Sequence, residues 1–478
     1  MNITCRRGRV AALLMTLGLV AAACSSGDGG GDGSATTQAS ERTASEIGVT
    51  VDTIKIGVGV ADLDGLRAAG ISLPAGLTTA NLSNRMISYF NEWNAAGGIN
   101  GRMVEPVVLT WDPTKPPSQD QFCADATVDA ELYAMVVTSG LNSRTVDCLL
   151  RAGMLFYFGD FATQAAHDTR QLVTIAPPVE IGARAGARAA VDGGTIPSGA
   201  TVGVLAGNQP SEKAASEAAA DVLREAGYRP FPVEVNTIQG DVGAINQESG
   251  AAAGTFRANG ISNVLMLLNF TNQSGFFDAA GTDFSVTVLD TASANCTPFG
   301  ASRTPPGALG TTCITAFDNA NTASGDLRSE IPFEKECRAH YDEAFAGKFP
   351  TKSAPGVPSG QVIDLADGTK ISSDYDAFAC TLATIMKGSL TGAGVNPTRD
   401  SAYQAALALG DVPIALASDG KGTLAEGKTY AADFVHAVKL TAATVDTPKN
   451  AQGTYNGCPA PVNCWVPTSD KWFAIEGR

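Results

Sequence analysis

Short apolar runs rich in β-branched residues alternate along this chain with longer stretches whose apolar positions recur at helical spacing. The strand-like runs are Thr53 to Val60, Met103 to Thr110, Tyr133 to Thr138, Met154 to Phe158, Leu172 to Ile175, Thr201 to Leu205, Phe231 to Val235, Asn263 to Leu268 and Ser285 to Leu289. Between them lie helical patterns at Asn81 to Asn94, Gln119 to Ala130, Ser143 to Arg151, Glu180 to Val191, Ser211 to Ala226 and Gly243 to Asn259. Strands separated by helices of this length predict βαβ units and parallel sheets. Right-handed crossovers then make the sheets doubly wound.

Two series can be separated. The first ends near Ile175, where Pro177-Pro178 interrupts; the second runs from Val179 to a Pro/Gly loop, with one further strand at Cys313 to Phe317. Helical patterns follow at Pro332 to Ala346, Asp374 to Ser389 and Ser401 to Leu409, then strand-like Phe434 to Leu440 and Lys471 to Ile475. These later pieces are too few for a third domain, so the chain is expected to return to the two it has already begun.

The first fifty residues follow neither period. Arg6, Arg7 and Arg9 precede an apolar stretch from Val10 to Ala23 that is short for a membrane span and ends in small residues, the order of an export signal. Ala21-Ala22-Ala23-Cys24 resembles the lipobox of bacterial lipoproteins, with alanine where that box usually has leucine; the resemblance implies acylation of Cys24 and anchoring to a membrane. Ordinary cleavage after an Ala-x-Ala site would leave Cys24 a free thiol. Ser25 to Ser45, rich in Gly, Ser, Thr and Asp, suits a flexible tether. We therefore expect a signal peptide at 1–23, a tether at 24–47 and an exported body on the outer face of the cytoplasmic membrane or in the periplasm.

Loss of residues 1–23 removes three arginines and no acid, taking the formal charge from −15 to −18. Such a body offers no electrostatic footprint for nucleic acid. Hydrophobic residues at 44% against 17% charged supply a core for two or so domains. Beyond Cys5 and Cys24, eight cysteines remain, and export makes disulfides the natural use. Eight allow 105 connectivities; we expect sequential pairs, Cys123 with Cys148, Cys296 with Cys313, Cys337 with Cys380 and Cys458 with Cys464. Metal binding is not expected: there is no C-x2-C spacing, and the only histidines are His167, His340 and His436.

Gly48-Val-Thr-Val-Asp-Thr-Ile-Lys-Ile-Gly57 and Asn94-Ala-Ala-Gly-Gly-Ile-Asn-Gly-Arg102 resemble the type 1 periplasmic-binding proteins related to the leucine/isoleucine/valine-binding protein. In the second motif Gly97 and Gly98 can end a helix in left-handed geometry and Ile99 can re-enter the core, so it marks a fold rather than a ligand contact. The resemblance implies an α/β fold of two doubly wound, Rossmann-like lobes, 48–176 with 318–430 and 177–317 with 431–478, joined by a hinge that the chain crosses three times. It also implies Venus-flytrap closure on a small polar molecule, such as an amino acid or a related organic acid or amide, and delivery by a monomer to the permease subunits of an ABC importer.

Ligands of open α/β sheets bind beyond the carboxyl ends of strands. In the first lobe this selects Ser139, Gly140 and Asn142 after one strand, a helix entry whose amides and hydroxyls suit a carboxylate, and Gly159, Asp160 and Phe161 after the next. The family holds the ligand's polar head with these two loops. In the second lobe the corresponding positions are Asn208, Gln209, Asn269 and Asp290, the last an acid able to pair an ammonium. Each residue taken alone also fits helix capping or turn formation. Asp62 and Asp64 are read as loop residues.

Gly422-Thr-Leu-Ala-Glu-Gly-Lys-Thr429 matches G-x-x-x-x-G-K-[ST] literally, but a phosphate loop needs a strand before and a helix after, and a strand pattern follows here. We do not read it as a phosphate loop. No G-x-S-x-G, H-E-x-x-H or convincing Ser/His/Asp set suggests an enzyme, and no cofactor is expected. A sensor ectodomain working through a membrane partner, or a secreted hydrolase, are the alternatives.

Overall fold

The alternating pattern folds into two mainly parallel sheets. The computed structural model describes residues 41–68, 78–112, 115–237, 241–269, 272–291, 295–296, 306–317, 332–345, 352–353, 363–364, 370–372, 377–415, 417, 420–442 and 463–476. The first sheet contains β1 (Thr53–Ala61), β2 (Met103–Trp111), β3 (Ala134–Val137), β4 (Leu155–Phe158) and β5 (Leu172–Thr174) in the order β2-β1-β3-β4-β5, all parallel. Every residue of β3, β4 and β5 is buried, as expected of a parallel sheet covered on both faces. α1 (Leu63–Ala68) follows β1 directly. One face is covered by α2 (Thr79–Ala95), through Met86, Phe90 and Trp93. The other is covered by α3 (Pro116–Ala124) and α4 (Ser143–Arg151), through Phe122, Val146 and Leu149. A short α5 (Gln164–His167) follows β4.

The second sheet is built from β6 (Thr201–Gly207), β7 (Arg229–Val235), β8 (Asn263–Met266), β9 (Ser285–Leu289) and β10 (Thr312–Thr315), parallel in the order β7-β6-β8-β9-β10. Its helices are α6 (Val179–Asp192), α7 (Pro210–Glu225), α8 (Val242–Ala258) and α9 (Ser274–Ala280). Small residues on α6 and α7, among them Ala183, Ala187, Ala215 and Ala219, let the two helices share the core over one face.

After β10 the chain returns to the first sheet. α10 (Pro332–Ala344) and α11 (Ala377–Gly392) are joined by Cys337–Cys380, and His340 of α10 stacks on Tyr89 of α2 with ring centroids 3.8 Å apart. Short strands β11 (Lys352–Ser353), β12 (Ile363–Asp364) and β13 (Lys370–Ser372) form a small sheet of their own. α12 (Arg399–Leu407) and a hairpin of β14 (Gly410–Pro413) and β15 (Lys421–Leu424) come next. Finally β16 (Phe434–Thr441) and β17 (Cys464–Ala474) extend the second sheet, antiparallel to β10 and to each other.

β17 is longer than the apolar pattern predicts, because its first half carries Pro467, Thr468, Ser469 and Asp470 and does not read as a strand. α1, α5 and α9, at one or two turns each, give too little periodicity to be seen in sequence. Cys123–Cys148 joins α3 to α4 and Cys296–Cys313 ties its loop to β10; Cys458 and the pairing expected of it lie outside the described residues. No helix among the described residues is long and apolar enough to cross a membrane.

Three crossings connect the two sheets. Ile175–Pro178 leads from β5 into α6, Ala316-Phe317 leaves β10, and Tyr430–Asp433 leads into β16. The first and third run side by side: Thr174 N donates to Thr429 O (2.9 Å), Ala431 N to Thr174 O (2.9 Å) and Ala432 N to Ile175 O (3.0 Å).

The turn before β2 shows what the second family-like motif does. Gly97, Gly98, Asn100 and Gly101 all have positive φ, and a Cβ on Gly98 would lie 2.0 Å from Arg102 O. Asn100 Nδ2 donates to Leu390 O, Thr391 O and Gly394 O, satisfying carbonyls at the end of α11. Arg102, fully buried, donates from Nε to Thr50 O (2.7 Å), from Nη2 to Thr43 O (2.8 Å), and from Nη1 to Val395 O. The motif locks the chain start and a late loop onto the first sheet.

Candidate functional site

In each sheet the strand order reverses beside the first strand of its series, between β1 and β3 and between β6 and β8. Crevices at the carboxyl ends of such strands are where α/β proteins bind ligands. On the first sheet, β3 runs into Thr138-Ser139-Gly140 and β4 into Gly159-Asp160-Phe161. Asp160, nearly buried, joins these loops: its Oδ2 accepts from Gly140 N (3.1 Å) and its Oδ1 from Phe161 N (2.9 Å). A Cβ at Gly159 would sit 2.2 Å from Thr138 O, so the two strand ends approach as closely as backbone allows. Ser139 is half-buried, and its hydroxyl makes no hydrogen bond among the described residues.

Asn142 is occupied differently. Its Oδ1 accepts from Thr145 N (2.9 Å), the N-cap bond of α4, and its own N–H donates to Gln119 Oε1 (3.0 Å). The capping use, open from the sequence, is what this side chain does.

On the second sheet, Asn208 and Gln209 follow β6, Asn269 comes three residues after the end of β8, and Asp290 follows β9. Asn208 Oδ1 accepts from Thr237 N (3.2 Å). Gln209 N donates to Glu212 Oε2 (3.0 Å), and Thr237 Oγ1 donates to the same carboxylate. Desolvation raises the Glu212 pKa above the usual carboxylate range, against these two hydrogen bonds that lower it. Glu212 was not among the residues singled out from sequence. Its position, three residues after an N-cap glutamine, is a capping-box spacing that could have flagged it.

The two edges meet through the second crossing. Asp290 Oδ2 accepts from Thr315 Oγ1 (2.6 Å), Thr315 Oγ1 accepts from Phe317 N (2.9 Å), and the Phe317 ring lies edge-on to Phe161 at 6.4 Å between centroids. Phe161 also borders Gly182 of α6. The structure thus brings Ser139, Gly140, Gly159, Asp160 and Phe161 to one edge and Asn208, Gln209, Asn269 and Asp290 to the other. A bridge from Phe161 through Phe317 and Thr315 to Asp290 runs between them.

Gly422–Thr429 holds no phosphate-loop geometry. Gly422 to Leu424 lie in β15, and Ala425 and Lys428 close a tight turn with reciprocal backbone bonds (3.1 and 2.9 Å). Lys428 Nζ donates to Thr423 O (2.5 Å) and Tyr430 O (2.6 Å) and pairs with Asp433 at 3.0 Å. This lysine serves the third crossing.

His167 lies beneath the same crossing, with Nδ1 2.5 Å from Thr429 Oγ1 and Nε2 without a partner. Burial pushes its imidazole down to about 3, from about 6.5 in an unfolded chain. Between those values the unfolded state binds a proton that the folded state does not. The resulting stability is full above about pH 6.5 and falls by about 1.4 kcal/mol per unit as pH drops toward 3. Urea unfolding at pH 7 and pH 5 should show His167→Gln losing about 2 kcal/mol less than the native chain over that interval. Equal losses would show that His167 is not the group responsible.

No protein-family model matches the sequence, and no curated protein matches it. Solved structures do match in fold. A fatty acid ABC transporter substrate-binding protein from Thermomonospora curvata superposes with a TM-score of 0.59 at 15% identity, over 91% of this chain and 95% of that one. A leucine-binding protein from Thermotoga maritima gives 0.57 at 12% identity, over 81% and 95%. A solute-binding protein of an ABC transporter from Rhodopseudomonas palustris, in complex with 3,4-dihydroxybenzoic acid, gives 0.56 at 11%, over 89% and 98%. The chain has the two-lobe fold of type 1 periplasmic-binding proteins.

Proposed function

We propose that this chain is an extracytoplasmic solute-binding protein that captures a small polar molecule between its lobes and presents it to the permease subunits of an ABC importer. The observation that carries this is the pair of polar strand-end edges joined by three crossings, an arrangement that lets one lobe swing onto the other around a bound solute. The proposed lobes are 48–176 with 318–430 and 177–317 with 431–478. Ser139, Gly140, Gly159, Asp160 and Phe161 would contact the solute from one side, and Asn208, Gln209, Asn269 and Asp290 from the other. Solutes named for proteins of this fold include a fatty acid, leucine and 3,4-dihydroxybenzoic acid.

The work is binding and closure, without chemistry. A solute that touches both lobes only when they are closed shifts the population by its differential affinity for that state, and a permease can then distinguish loaded from empty protein. Cys24 acylation would hold the monomer at the outer face of the cytoplasmic membrane through the tether.

The test is thermal unfolding of the body from Ser25, disulfides intact, against amino acids, amides, amines, sugars and organic acids. At a hundred times its dissociation constant a solute adds about 2.7 kcal/mol to the state that binds it. A shift with the solute recovered unchanged supports capture. A solute consumed during the assay indicates an enzyme, and silence across the panel removes the proposal's support.

A further inference from the structure

We infer that Gln119 of α3 is a specificity residue for the solute's head: its side-chain amide joins the first backbone amides of α4 in a cluster of unpaired donors that takes a carboxylate. This rests on the solute-binding reading above and adds to it a residue from outside the two strand-end loops.

α3 is tied to α4 at three levels. Gln119 Oε1 accepts from Asn142 N (3.0 Å) and Thr145 Oγ1 (3.1 Å), Asp120 pairs with Arg144 at 2.6 Å, and Cys123 is bonded to Cys148. These ties hold the Gln119 carboxamide against the entry to α4. Asn142 N can only donate, so the carboxamide must present its oxygen there, and Nε2 sits on the other side of the same planar group. Gln119 is 7% exposed, and its Nε2 has no hydrogen-bond partner among the described residues. A donor left unpaired in so enclosed a place is costly, and a solute that accepts from it recovers the cost.

The helix entry supplies matching groups. Asn142 Oδ1 caps Thr145 N, which leaves the first two amides of this nine-residue helix, Ser143 N and Arg144 N, without acceptors among the described residues. Trp111, at the end of β2, is 1% exposed and its Nε1 has no partner; Cζ2, two bonds from that nitrogen, lies 3.4 Å from where a Cβ on Gly140 would be. Adjacent amides at the positive end of a helix, with neutral donors beside them, suit an anion that offers two acceptor oxygens. The Asp160 carboxylate, which would repel one, is itself engaged by Gly140 N and Phe161 N. A primary amide head offers the cluster one acceptor oxygen in place of two, and no charge.

The experiment titrates acetate, the bare head, into the mature protein with its disulfides intact. The NMR signals of Ser143 N–H, Arg144 N–H and the Gln119 side-chain amide should shift together, and acetamide should bind at least tenfold more weakly. Gln119→Glu keeps an acceptor for Asn142 N and Thr145 Oγ1, so the melting temperature should hold, but it removes the donor; acetate should bind it at least tenfold more weakly than the native chain. Gln121→Glu puts the same charge on α3 at a residue that faces Asp125 instead (2.6 Å), and should bind acetate as the native chain does. Signals that do not move, acetamide binding as tightly as acetate, or native acetate affinity in Gln119→Glu would each overturn the inference. Equal weakening in both variants would trace the effect to charge on α3 and overturn it as well. Solute capture is judged apart from this, by the thermal panel: a hit there with acetate silent here leaves capture standing without Gln119. Should Gln119→Glu fail to fold, the native chain's acetate-to-acetamide ratio, read at the Gln119 side-chain signal, decides alone.

Discussion

Arg102→Met is expected to lower the unfolding free energy by about 4 kcal/mol, among the largest effects of any single substitution in this chain. The side chain is fully buried, and its charge is met by backbone carbonyls of Thr43, Thr50 and Val395 together with Asn396 Oδ1 at 3.3 Å. Methionine keeps much of the apolar stem but leaves those carbonyls without their donors, at about 1–3 kcal/mol for each buried group left unmade. The segments that lose their tie are the chain start before β1 and the loop after α11, so the first lobe should loosen at both. Arg102→Lys should recover little of the loss, because a single ammonium cannot span acceptors arranged around a planar fork. Urea unfolding of the three proteins is the measurement, and a loss below about 1 kcal/mol in Arg102→Met would contradict the account. Arg102 precedes the first residue of β2, and the proposed ligand edge lies beyond the last of its nine residues, about 30 Å away at strand rise. Solute affinity in the folded fraction should therefore be unchanged.

That distance also explains what could be read from sequence. β3 and β4 announce themselves because a parallel strand buried on both faces must be continuously apolar, and Ala134–Val137 and Leu155–Phe158 are. α4 was legible to the residue, since Asn142 caps it and its apolar positions repeat on one face. β17 was half hidden, because polar residues and a proline interrupt its first half. The strand-end positions were legible, but not what their side chains hold. Strand ends identify Gly140 and Asp160 separately. That the Asp160 carboxylate fills the Gly140 amide, twenty residues away, depends on how closely two strands approach in space, which no local pattern encodes. Glu212 was passed over for a related reason: its spacing is that of a cap, and only the fold places that cap at the mouth of the second sheet.

The close approach itself yields the other large effect. Gly159→Ala should abolish measurable solute binding or weaken it by about a hundredfold, with a stability loss of about 2 kcal/mol. A Cβ there would lie 2.2 Å from Thr138 O and 3.1 Å from the carbonyl carbon, and neither atom belongs to a side chain that can swing aside. The β3 and β4 ends would have to separate. That movement would pull Asp160 from Gly140 N, now 3.1 Å apart, and shift Phe161 against Phe317, disturbing the polar contact and the bridge to the second sheet at once. Gly254→Ala is the matched control: the same added methyl, on α8, meets no atom within 4 Å. There alanine should stabilise by about 0.5–1 kcal/mol, since glycine is the poorer helix residue. Calorimetric titration of both variants with whichever solute binds the native chain separates the outcomes. Gly159→Ala retaining native affinity would place the solute away from these two strand ends. Loss in both variants would show that the effect is not specific to the approach of β3 and β4.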